Sequence, residues 1–267
     1  MSTDPCFREI IEVDGPIVAT AIHDGHALRE EVAELTALRG SDRLREEDPY
    51  TGVWTSLAPT RLVAMRSRFE IDLNRPREKS VYRRPEDAWG LELWKEEPTD
   101  GIMQRSLESY DAFYATVERI HAGLAARSGK FVVFDLHSYN HRRAGPSGSP
   151  ADPAGNPEVN VGTGTMRDRA QWAPLIERFI TDLGAADFLG RQLDVRENVR
   201  FRGGHLGRWT HETFPEAGCV LSVEFKKFFM DEWTGGLDTD QHAAIGRALA
   251  GTVPGVLEEL GRLGAKL

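Results

Sequence analysis

Cysteine is scarce: the 267-residue chain holds two, Cys6 and Cys219. Two thiols cannot build a disulfide framework or a cysteine-based zinc site. Positive charge is also short. Against 42 Asp and Glu stand 33 Lys and Arg, a formal net charge of −9. That balance argues against a general nucleic-acid binder, which needs a basic face. No stretch of about 18 apolar residues occurs, so no transmembrane helix is expected. The N-terminal MSTDPCFREII is acidic and lacks the basic start and apolar run of a secretory signal. Neither nucleic acid nor membrane is an expected partner, and a reducing, cytoplasmic setting is the simplest reading.

What is present fits an ordinary globular chain, with 40% hydrophobic and 28% charged residues. The length suits a single domain over residues 1–267 with a core and a cleft. Apolar runs alternate with amphipathic stretches, the pattern of a sheet covered by helices on both faces. Buried strands are expected at 16–22, 61–65, 130–136 and 219–223. Helices are expected at Ala27–Leu38, Leu107–Leu124 and 172–183, the last capped by Gly184, and over Asp240–Leu263, split at Pro254. Residues 142–165 are rich in Gly, Pro, Ser and Asn. They follow the third strand directly, with no separate core beside them, and read as an active-site loop or lid.

Three polar residues end three of these strands: His23, His137 and Glu224. In open α/β sheets ligands bind outside the carboxyl ends of strands, so parallel neighbours would bring the three to one crevice. His23 and His26 flank a glycine turn. Imidazole is a strong zinc ligand, and a close pair with a distant third is the usual layout of a catalytic zinc site. Capping of the next helix is the ordinary structural alternative. His137 is the distant ligand, with Asp135 on the same strand face able to hold its second nitrogen. A carboxylate of the acidic cluster at 45–49 is an alternative to His26, and the spacing leaves that choice open. From Arg61 to Arg84 the chain is a basic island containing Arg68 and Arg75, and arginine recognises carboxylates bidentately. A second basic stretch, Arg196–Arg208, encloses Gly203-Gly204-His205. Glu224 interrupts an apolar strand, where a carboxylate is costly unless paired. Beside a zinc-activated water it would be the general base. Its structural alternative is an ion pair with Lys226, Lys227 or a nearby arginine.

The order and spacing of His23 with Gly25, SRFEIDLNRP (67–76), DLHS (135–138), RGGHLGRW (202–209) and VEFKKFFMDE (223–232) resemble the N-formylglutamate amidohydrolase family. That family is similar to zinc carboxypeptidases and aspartoacylase-type deacylases. The resemblance implies a three-layer α/β/α fold of zinc-exopeptidase type, with a mixed, mostly parallel sheet of about eight strands. It implies one zinc ion per chain, with His23 and His137 as ligands and His26 or Asp48 as the third. Glu224 matches the catalytic glutamate. Asn74 and Arg75 match a carboxylate-binding pair, Arg68 would polarise the scissile carbonyl or bind a carboxylate, and His205 is a candidate substrate contact. The implied activity is zinc-dependent hydrolysis of a small anionic N-acyl amino acid, with N-formyl-L-glutamate the leading candidate. A carboxypeptidase or another N-acyl deacylase on this scaffold is the first alternative, and a non-catalytic binder of acidic metabolites the second.

Overall fold

The computed structural model describes residues 6–11 and 15–267; the first five residues of the acidic N-terminal stretch lie outside them. Seven described strands form one sheet: β1 (Phe7–Ile11), β2 (Ile17–Ala21), β3 (Thr60–Ala64), β4 (Phe131–Tyr139), β5 (Val159–Gly162), β6 (Val195–Glu197) and β7 (Gly218–Lys226). Their order across the sheet is β1-β3-β2-β4-β7-β5-β6. The middle four run parallel, while β1 and β5 join antiparallel to β3 and β7. The sheet is therefore mixed, as expected, with one described strand fewer than the resemblance implies.

The helices are α1 (Glu30–Leu35), α2 (Gly40–Glu46), α3 (Thr51–Trp54), α4 (Asp100–Ser128), α5 (Ala173–Ala185), α6 (His205–Thr213) and α7 (Thr239–Arg262). Strand alternation decides which face each residue serves. Val132, Phe134 and Leu136 of β4 pack with α5 and α7, whereas Phe131 and Val133 pack with α4 and α6. The result is the three-layer α/β/α arrangement. No helix among the described residues is long and apolar enough to cross a membrane.

Several local expectations change. The helix expected over Ala27–Leu38 shrinks to Glu30–Leu35. Ala27 is instead drawn into backbone hydrogen bonds with Met65 and Ser67, and Ala37 bonds to Leu93. Gly184 lies inside the last turn of α5, which ends at Ala185 and is capped by Ala186. Pro254 does not split α7. Pro254 and Ala250, whose carbonyl loses its partner, are both exposed, so water can solvate the break. Ile245, Leu249, Val256 and Leu260 meanwhile anchor both halves in the core. The stretch at 142–165 is not loop throughout. Its residues 159–162 are β5, paired between β7 and β6.

One core residue carries a testable cost. His121 on α4 is fully buried between Phe131 and Phe214. Neither ring nitrogen has a hydrogen-bond partner among the described residues. Burial pushes its pKa down to about 3, against about 6.5 in the unfolded chain. Above pH 6.5 the ring is neutral in both states. As pH falls toward 3 the unfolded chain takes up a proton that the folded chain refuses, so stability is lost across that window. His121→Leu should therefore stabilise by about 1–2 kcal/mol at pH 8. The gain should be larger at pH 5, as read by paired denaturant titrations. An equal or smaller gain at pH 5 would contradict this account.

Candidate metal and active site

The parallel pairing of β4 with β7 builds the centre of the site. Its register sets His137 directly opposite Glu224. Neither is a strand-end residue, since both strands continue beyond them. Asp135 and His137 occupy the β4 face that bears Phe131 and Val133, and Glu224 occupies the β7 face that bears Val220. His23 follows β2, the other neighbour of β4. The fourth contributor comes from the segment between α2 and α3. There the Asp48 N–H donates to the His23 carbonyl oxygen at 2.9 Å, which ties that segment to the end of β2.

His23, Asp48 and His137 are all buried and can offer ligand atoms within 4.8 Å of one another, the only such group among the described residues. The convergent atoms are two Nδ1 nitrogens and one carboxylate oxygen. Asp48 Oδ2 lies 2.9 Å from His137 Nδ1 and 3.4 Å from His23 Nδ1. The opposite nitrogen of each ring faces a buried carboxylate: His23 Nε2 meets Asp72 Oδ1 at 2.8 Å, and His137 Nε2 meets Asp135 Oδ1 at 3.0 Å. Carboxylates behind imidazoles fix ring orientation and raise ligand basicity, the usual surroundings of metal-binding histidines. The Asp135 carboxylate is itself held by the Thr20 hydroxyl at 2.8 Å. Two imidazoles and one carboxylate match the donor set of a catalytic zinc site with an open position.

The charges are strongly perturbed. Burial alone would raise the Asp48 carboxyl, yet hydrogen bonds with His137 and His23 hold it well below the usual carboxylate range. Burial disfavours the His137 imidazolium, but the adjacent Asp135 and Asp48 carboxylates raise its pKa well above normal. Glu224 is pushed up to about 8, first by burial and then by the charges of Asp48 and Asp135. Burial opposes ionisation of Asp72 as well. Arg68 and His23 nevertheless keep it far below the ordinary value.

His23, Asp48, His137 and Glu224 border a cavity of about 370 Å³. Arg68 lines it, with one guanidinium nitrogen 2.9 Å from Asp72 Oδ2 and the group stacked 4.9 Å from the Trp89 ring. Asn74 lines it too. Its side-chain oxygen accepts the Leu206 N–H at 3.1 Å, leaving the amide NH2 as a donor for a ligand. Gly204 is required beside it, because a Cβ there would fall 2.2 Å from the Asn74 side chain. Arg143, Arg200 and Arg202 also face the cavity, and none of the three has an ion pair among the described residues. Unpaired guanidinium groups around a pocket favour an anionic ligand.

Three candidates from the sequence fall outside this arrangement. His26 is not part of the ligand cluster: its Nδ1 pairs with Glu47 Oε2, and its side chain is 44% exposed. The turn at Gly25 sends His23 inward and His26 outward. Arg75 does not border the cavity. Its guanidinium bonds to the Asp87 carbonyl oxygen at 2.7 Å, lies 3.5 Å from Asp72 and covers the Tyr82 ring. His205 opens α6 and packs on Tyr114 rather than lining the cavity. Lys227 does not pair with Glu224; it donates to backbone carbonyls. Asp72 joins the site behind His23, and the signal for it in the sequence is an acidic residue inside a basic island. Arg143 belongs to the stretch that reads as an active-site loop or lid, but composition alone points to no single residue within it.

The N-formylglutamate amidohydrolase family model matches residues 15–228. An N-formylglutamate amidohydrolase from Ralstonia eutropha JMP134 has a similar solved structure, with a TM-score of 0.71 and 19% identity over 96% of this chain and 98% of that one. A gene product of Agrobacterium tumefaciens is similar at a TM-score of 0.66 and 17% identity, covering 97% of each chain. At such identities the structural likeness is one of fold. No curated protein matches the chain.

Proposed function

Because the chain belongs to the N-formylglutamate amidohydrolase family, a family of amide-bond hydrolases, we propose that it is a zinc-dependent enzyme that cleaves N-formyl-L-glutamate to formate and L-glutamate. The observation that carries this reading is the buried His23–Asp48–His137 cluster with Glu224 beside it and carboxylates behind both rings. A metal ion held by these three residues would supply a water ionised near neutral pH and a Lewis acid for the acyl oxygen.

The chain's own residues supply the rest. Glu224 accepts a proton as water adds to the acyl carbon, and returns it to the nitrogen as the C–N bond breaks. Burial raises its carboxyl above the ordinary carboxylate range, which favours return of that proton to the nitrogen. Arg68, held by Asp72 and lining the cavity, presents a fixed cation for the charge that develops on the acyl oxygen. The Asn74 amide and the unpaired Arg143, Arg200 and Arg202 bind the carboxylates of the substrate and so orient the scissile bond. Arg75 and His205 act only indirectly. Other N-acyl amino acids with a free carboxylate remain the second reading, favoured by a cavity of about 370 Å³, which leaves space beside a formyl group.

Formate and glutamate release, measured with N-formyl-, N-acetyl- and N-succinyl-L-glutamate on zinc-loaded protein, tests the proposal. The formyl substrate should give the highest kcat/KM. Arg202→Ala should raise KM for it and lower kcat/KM roughly 10- to 100-fold, the loss of one charge-assisted pair. The same variant should change turnover of the substrate's diamide far less. Equal losses for acid and diamide would remove Arg202 from carboxylate recognition. No turnover of any N-acyl amino acid would overturn the proposed activity.

A further inference from the structure

We propose that Lys227 is a positioning residue for Asp48, and through it for the metal site; this inference rests on the metal reading above. Lys227 directly follows β7 and is 1% exposed. Its ammonium forms no ion pair among the described residues. A buried cation without a carboxylate is costly unless other acceptors offset the lost water. The acceptors here are two backbone carbonyl oxygens, those of Arg45 at 2.6 Å and Glu47 at 2.7 Å.

The second of these matters most. The Glu47 carbonyl and the Asp48 N–H are the two ends of a single planar peptide unit. Lys227 holds the carbonyl end, and the His23 carbonyl oxygen holds the N–H end at 2.9 Å. With both ends held, the plane cannot rotate, and the direction in which Asp48 leaves the backbone is set. The backbone of Lys227 is fixed in turn, its N–H donating to the Tyr139 carbonyl oxygen at 3.0 Å. Tyr139 ends β4, the strand that carries His137. One side chain thus locks Asp48 in register with both histidines. Without that lock, the segment between α2 and α3 is tied to the sheet near Asp48 by the His23 contact and by side chains alone.

The test is zinc affinity, measured by competition with a chromophoric chelator on the full chain. Lys227→Met keeps the stem and removes the donors. It should weaken zinc binding roughly 10- to 100-fold, the range for loss of a residue that orients a ligand. In an Asp48→Asn background the same change should cost less than about threefold, because the ligand that Lys227 positions is already impaired. Zinc affinity equal to wild type in Lys227→Met, or a full additive loss in the double variant, would overturn the proposal. Should the methionine variant fail to fold, Lys227→Gln is read by the same two comparisons. Wild-type protein that binds no zinc would instead defeat the metal reading, and this inference with it.

Discussion

Glu224→Gln should lower kcat for N-formyl-L-glutamate about 10³-fold while leaving zinc content at the wild-type level. Glutamine matches glutamate in size and keeps a polar group opposite His137 on β7, so packing is conserved. What is lost is the ability to take a proton from water and deliver it to the amine. Substrate affinity should change little, because the cations that face the cavity are untouched. The pH profile should change with it. Burial raises the wild-type carboxyl, and only the carboxylate can accept a proton, so kcat/KM should fall as pH is lowered through its pKa. A bound dication would draw that pKa below the metal-free value by simple attraction. The acidic limb should disappear from the residual rate of the variant. A kcat within tenfold of wild type would assign the proton transfer to another group.

His137→Ala and Asp48→Ala should each empty the metal site, with zinc affinity falling at least about 100-fold, whereas His26→Ala should keep a full complement. The geometry separates them: His137 and Asp48 are buried and convergent, while His26 is turned away toward Glu47. Metal analysis after dialysis reads the outcome directly. Zinc loss in the His26 variant, with retention in the Asp48 variant, would reverse the ligand assignment. The wild-type site should also release metal on acidification. Asp135 and Asp48 hold a proton on His137 to a higher pH than usual, and that proton competes with the metal. Affinity should therefore climb with pH until His137 titrates, and zinc uptake below that point should release protons.

Much of this was legible in the chain itself. The apolar runs ending near His23, His137 and Glu224 are local signals, because a buried strand must be apolar on both faces and a polar residue within it requires a reason. The Asp135–His137 relation follows from the two-residue period of a strand. The long helix α4 was readable for the same kind of reason, since its buried residues recur at helical spacing. Elsewhere local pattern misled. The Ala27–Leu38 pattern is helical, yet long-range backbone bonds to Met65 and Leu93 took its ends. Pro254 marked a break that tertiary packing overrode.

The sequence by itself determined the fold class and singled out His23, His137, Glu224 and Arg68, which the fold brings to one cavity. Only the tertiary structure decided among residues far apart in the chain. It chose Asp48 over His26, because a glycine turn diverges its two histidines while the Asp48 peptide is bonded to His23. It withdrew Arg75 and His205 from the cavity and brought Arg143, Arg200 and Arg202 to it. It placed Asp72 behind His23 and Lys227 beneath Asp48. Each of those choices depends on distance and direction in space. A one-dimensional pattern carries such information only within one strand or one helical turn.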